Sequence, residues 1–197
     1  MPRSVVRRVV LLLVGCVVLG AGVGMLLTAD LGSDGFSTLV NGVSIALDVP
    51  FVVANAGVSL AFVLLAAARG LRPGIGTLAQ VVVVGFTVSW ALAVLGTPDT
   101  VLRQALLLAA AFPVLALGIS AYLGAHLGAG PAESAALAWD PPLPFRWSYS
   151  AVQLFGAVVG WLLGATLGPG TLAVIVLLGP AVDLTSRLLR LDVRQGT

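Results

Sequence analysis

Charge is scarce in this sequence: Asp, Glu, Lys and Arg make up 9% of its 197 residues, against about a quarter in soluble domains. There is no lysine, and there is one cysteine and one histidine. A lone cysteine excludes an internal disulfide and a cysteine metal cluster. Without a His/Glu metal spacing or a Gly-x-Ser-x-Gly turn, conventional hydrolytic and metal-dependent catalysis is poorly supported. The expectation is a protein that is not an enzyme and holds no cofactor and no metal. "GAGVG", residues 20–24, is no dinucleotide fingerprint, because it lies inside an apolar run with no strand before it.

What is present is apolar. Mean hydropathy is +1.10, and uncharged runs cover Val9–Ala29, Val49–Ala68, Pro73–Pro98, Gln104–Ala125 and Trp147–Val182, the last split by "GATLGPGT". A bilayer-spanning helix takes about 20 residues, so these runs predict six transmembrane helices in a single membrane domain over residues 1–197. No stretch is left for a soluble domain. The alternating polarity of a membrane β-barrel is absent.

The ten basic residues are all arginine. With the N-terminus inside, Arg3, Arg7, Arg8, Arg69, Arg72, Arg146, Arg187, Arg190 and Arg194 fall on the cytoplasmic side and Arg103 outside, as the positive-inside rule requires. The expected location is a bacterial inner membrane, with both termini cytoplasmic and the lipid bilayer as the surrounding partner. Arginines so scattered make no nucleic-acid footprint. Arg3, Arg7 and Arg8 ahead of "VVLLLVGC" have the look of a signal segment, but the chain stays apolar past Cys16 for a full helix, so the segment is read as retained.

Sliding the chain against itself by 96 positions aligns "LGAGVGMLLTADLGSDGFSTL" from Leu19 with "LALGISAYLGAHLGAGPAESA" from Leu115. After a two-residue slip, Gly76-Thr77-Leu78 meets Gly170-Thr171-Leu172. This predicts an all-α fold of two repeats, about 5–97 and about 101–191. With three spans each, the second repeat is inverted relative to the first, an arrangement common in secondary transporters. After its first span each repeat carries a short helix. Ser33 or Asp34 caps the first, and Pro131 with Glu133 opens the second. Each is either a re-entrant half-helix or an interfacial one, since periodicity says nothing about depth.

"ADLGSDGFSTLVNGVS" and the later "RPGIGTLAQVVVVG" resemble the bacterial YczE/YyaS/YitT-type membrane proteins over residues 19–90, with Gly35 where that family usually has proline. The resemblance implies a polytopic inner-membrane protein of permease type with no established substrate. Departure from proline leaves the first short helix less rigid at its start.

Candidate cavity or gate residues are Asp30, Asp34, His126 and Glu133 in the matched loops, and Asn55, Gln80, Gln153 and Asp183 within spans. For the uncharged three, hydrogen bonding between helices is the commoner use. Asp183 reads either as a cation or proton site or as an ion pair with Arg187, and the nearby arginines favour the pair. Gly20 and Gly24, and the row Gly156, Gly160, Gly164 and Gly168, are helix-packing faces that serve the bundle or a homodimer. The leading function is a small secondary transporter or exporter of an unidentified small molecule. The alternative is a membrane accessory that supports a partner. Acidic outer loops favour cations and helix N-termini favour anions, so substrate charge stays open.

Topology is directly testable. Reporter fusions after Asp48 and after Arg72 should give opposite signals for side, and equal signals would refute the orientation.

Overall fold

The protein is described from a computed structural model, which covers residues 3–139, 142–143 and 145–191. Every regular element among these residues is helical. In chain order they are α1 (Arg3–Ala29), α2 (Gly35–Leu47), α3 (Phe51–Ala68), α4 (Ile75–Leu95), α5 (Val101–Gly124), α6 (Pro131–Leu137), α7 (Phe145–Leu162), α8 (Pro169–Leu178) and α9 (Pro180–Leu188).

Four of them, α3, α4, α5 and the Val5–Ala29 part of α1, are long and apolar enough to cross a membrane, and α8 with α9, bent by 43°, makes a fifth if the pair counts as one span. The sequence reading expected six. Helix α7 has the length but is not among them, because Arg146, Ser148, Tyr149, Ser150 and Gln153 make its first half polar.

The core is an antiparallel pair, α1 against α5. Leu12, Cys16, Leu19, Val23 and Leu26 are buried on α1, and Ala111, Leu115 and Tyr122 on α5, at the three- and four-residue spacing of a helix face. Glycines let the backbones touch. A Cβ on Gly15 would lie 2.6 Å from the Tyr122 amide nitrogen, and one on Gly22 would lie 2.8 Å from the Leu115 side chain. Gly20 and Gly24 turn the neighbouring face of α1 toward α4, where added Cβ atoms would meet Thr87 and Ala91.

The short helices cross between the halves: α2 packs on α7 and α6 packs on α3. Asp34 caps α2, its Oδ2 accepting from the Ser37 amide at 3.0 Å, and Pro131 opens α6 in its first turn. Both bury their beginnings. Gly35, Ser37, Thr38, Leu39 and Val40 are buried while Ile45, Ala46 and Leu47 near the far end of α2 are exposed, and Pro131, Ala132, Ala135 and Ala136 are buried in α6.

Two joints of similar build hold the crossing. The Gly76 amide donates to the Leu127 carbonyl at 2.8 Å, and the Gly170 amide to the Leu31 carbonyl at 2.7 Å. Asp30 and Gly32 before α2 have φ of 53° and 96°, and His126 and Gly128 before α6 have 50° and 129°. Left-handed backbone turns the chain sharply after α1 and after α5. Each joint is followed by a π-turn, Gln80–Val84 in α4 and Val174–Leu178 in α8.

The expected glycine row divides. Gly156 and Gly160 lie on α7 against the backbone of α2 at Gly35 and Thr38. Gly164, with φ of 102°, is in the turn beyond α7, and Gly168 abuts the Leu31 carbonyl. A side chain on Gly160 would strike the Thr38 carbonyl, whereas Gly57 on the outside of α3 has nothing within 4 Å. Gly160→Leu should therefore destabilise by at least about 1–3 kcal/mol, and Gly57→Ala should stabilise by about 0.5–1 kcal/mol. Thermal unfolding of the purified protein in detergent checks both, and equal melting of the two variants would contradict this packing.

Candidate functional site

The two short helices both pack against α7, around a buried polar centre to which α4 and α5 also contribute. Asp34 stands at the start of α2 and Glu133 in the first turn of α6. First-turn amides have no partner within their own helix. Gln153 of α7 supplies one, its Oε1 accepting from the Phe36 amide at 3.1 Å. Its Nε2 donates to the Tyr149 hydroxyl at 2.7 Å. One side chain thus ties α2 to α7 and sets the position of a tyrosine.

Tyr122 of α5 is 1% exposed. Its hydroxyl lies against the Glu133 carboxyl without completing a hydrogen bond of full geometry. From α4 comes Gln80, whose Oε1 is buried with no donor. That oxygen and Glu133 Oε2 crowd the same space over Gly130, which only a residue without a Cβ leaves open.

Neither carboxyl belongs to a spanning helix. Burial raises Asp34 above the usual carboxylate range, and hydrogen bonds from Ser37 and nearby backbone partly offset it. Burial likewise raises Glu133, the Tyr122 contact and a backbone bond oppose the rise, and the negative charge of Asp34 adds to it. Among the described residues no arginine pairs with either carboxyl; Arg103 pairs with Asp99 at 2.7 Å, exposed, and Arg8 is spent on carbonyls after α5. Also among the described residues, no three His, Cys, Asp or Glu side chains gather as metal ligands would.

Of the residues singled out in the sequence, the centre brings together Asp34, Glu133, Gln80 and Gln153. Asp30 and His126 stay apart, exposed at the two joints, where Asp30 accepts from the Thr166 hydroxyl and the His126 carbonyl accepts from Arg8. Asn55 donates to the Val81 carbonyl at 2.8 Å, satisfying backbone that the π-turn of α4 leaves open. The Asp183 side chain lies outside the described residues. Sequence reasoning missed Tyr122 and Tyr149. They are the chain's two tyrosines, and a hydroxyl inside an apolar run needs a partner, which is the signal that could have found them.

A family of unknown function, DUF6198, matches residues 6–187, and the chain belongs to it. An uncharacterised protein of Haemophilus influenzae is similar, 25% identical over 179 residues that cover 90% of this chain and 82% of the relative. No solved structure matches.

With both carboxyls raised, the folded state holds protons more tightly than the unfolded chain, whose carboxyls titrate near pH 4. The resulting stability is complete below that range and is lost as pH rises through the raised values. The melting temperature in detergent should fall over that window, and Glu133→Gln should flatten the fall. An undiminished fall in the variant would assign the pH dependence to other groups.

Proposed function

From the sequence repeat and the buried centre, we propose that the protein is a small secondary transporter, moving a small molecule by alternating access between two inverted three-helix repeats. In this reading α7 is the fifth membrane crossing and α8 with α9 the sixth. Helices α2 and α6 are re-entrant half-helices, and the chain lies in a bacterial inner membrane with both termini cytoplasmic. The resemblance to the YczE/YyaS/YitT-type proteins points the same way, toward a polytopic permease.

One observation carries the reading: two segments equivalent in the sequence repeat, each starting a short helix with a carboxylate in or beside its first turn, meet at one buried centre. Several features support the repeat itself. The joints use Leu31 with Gly170 and Leu127 with Gly76, which are exchanged partners under the alignment. The π-turns at Gln80–Val84 and Val174–Leu178 fall at matching positions, as do the left-handed residues before α2 and α6. Three crossings per repeat place the two joints on opposite faces of the membrane. Exchanging the conformations of the halves then exchanges which face is open. Irregular backbone at that depth is tolerated where protein buries it, and the buried first turns of α2 and α6 meet that condition.

Flux into liposomes, across a panel of small organic cations, anions and neutral metabolites, tests the proposal. Asp34→Asn and Glu133→Gln should each lower flux by at least about tenfold, equivalent to about 1.4 kcal/mol. Asp30→Asn and His126→Gln, away from the centre, should leave it within about twofold, since exposed polar changes stay within about 0.5 kcal/mol. Absence of flux for every class, with the protein folded, would favour the accessory role instead.

A further inference from the structure

The buried centre holds polar atoms without partners. Gln80 Oε1 is buried without a donor, and beside it over Gly130 stands Glu133 Oε2. If Glu133 were ionised, both oxygens would be acceptors facing one another. Asp34 Oδ2 already takes the Ser37 amide, and the Tyr149 hydroxyl takes Gln153 Nε2. Tyr122, 1% exposed, aims a hydroxyl at Glu133 without a completed hydrogen bond. A buried polar atom so placed points to something still to be accepted or donated.

A proton between the Gln80 and Glu133 oxygens would satisfy both, and space restricts any larger occupant. A Cβ on Gly130 would overlap Gln80 and Glu133, and one on Gly35 would overlap the Gln153 carbonyl. No described arginine supplies the charge. Other titratable groups facing Glu133 are Asp34, Tyr122 from α5 and Tyr149 from α7, while α2, α3 and α4 carry none.

We infer that Glu133, with Gln80 and Tyr122 about it, carries a proton at the meeting point of the two halves, and that the proton is the ion coupled to solute movement. The inference rests on the transporter reading. In the closed centre the proton sits on Glu133 Oε2 and is donated to Gln80 Oε1, with the Tyr122 hydroxyl against the same carboxyl. When one joint opens, the carboxylic acid gives that proton to water, leaving a carboxylate and a hydronium ion. Reprotonation from the other face reverses the step. The negative charge of Asp34 adds to the hold of Glu133 on its proton.

Infrared difference spectroscopy on the purified full-length protein, titrated in sodium-free buffer, reads this directly. A protonated-carboxyl band should persist at neutral pH and disappear in Glu133→Gln. Should that variant fail to fold, Tyr122→Phe serves: the band should shift in frequency, and an unmoved band would overturn the assignment. Absence of any Glu133-dependent band at neutral pH overturns the inference. So does displacement of the band by sodium at fixed pH, which would make this an alkali-cation site. Liposome flux separates the inference from its premise. Flux that ignores an imposed pH gradient leaves a transporter without proton coupling, whereas a Glu133 band with no flux in any solute class removes transport, and coupling falls with it.

Discussion

Backbone amides and carbonyls buried in an apolar interior have no water to bond, so a chain that breaks its helices there must satisfy them from its own groups. Two bonds meet that requirement here, from the Gly76 amide to the Leu127 carbonyl and from the Gly170 amide to the Leu31 carbonyl. Each closes a sharp left-handed corner on a glycine-rich turn from the other half of the chain. The glycines are needed because the backbones come too close for side chains: a Cβ on Gly76 would lie 2.7 Å from the Gly128 carbonyl oxygen, and one on Gly170 would lie 2.7 Å from that of Gly32.

The polar centre depends on these corners. They turn the chain back so that the first turns of α2 and α6 enter the protein rather than lie along its edge, within reach of the charge of Asp34 for Glu133. The surrounding side chains act on the exposed helix ends: Gln153 takes the Phe36 amide, and Asp34 takes the Ser37 amide. Asn55 does the equivalent for the widened turn of α4. Several polar side chains in the apolar interior are thus assigned to backbone that the broken helices would otherwise leave unpaired. Among the described residues the polar atoms of Thr28, Ser59, Gln80, Tyr122 and Thr171 are buried without a partner, and of these Gln80 and Tyr122 sit beside Glu133.

Much of this architecture is legible from hydropathy. The apolar runs bounded by Arg69, Arg72 and Arg103 become α3, α4 and α5 within a few residues, because charge and Pro/Gly turns end a membrane helix abruptly. Asp34 and Pro131 mark helix starts through local chemistry that needs no tertiary contact. Depth is not legible in that way. The burial of α2 comes from Gly35 and Gly42 meeting α7, a pairing between residues far apart in the chain. The evenly spaced glycines from Gly156 to Gly168 look like one helix face, but α7 ends at Leu162 and the later two serve a turn and a joint. Asp30 and His126 stand in matched positions, yet their left-handed backbone keeps them at the corners, outside the centre. Tyr122 and Tyr149 passed as ordinary span residues because a single hydroxyl barely alters the hydropathy of a helix.

Interleaving also sets a timetable. Phe36 bonds to Gln153, 117 residues later in the chain, so at ribosomal speed α2 waits roughly 5 to 25 seconds for the helix it packs against. During that interval its first-turn amides and the Asp34 carboxyl lack their final shelter, while α1 and α3 on either side are already apolar enough to enter lipid. The nascent first half must therefore be held where water or the insertion machinery can reach it. It also follows that the halves are not separable modules: expressed as two chains, each would have to find the other before either could close.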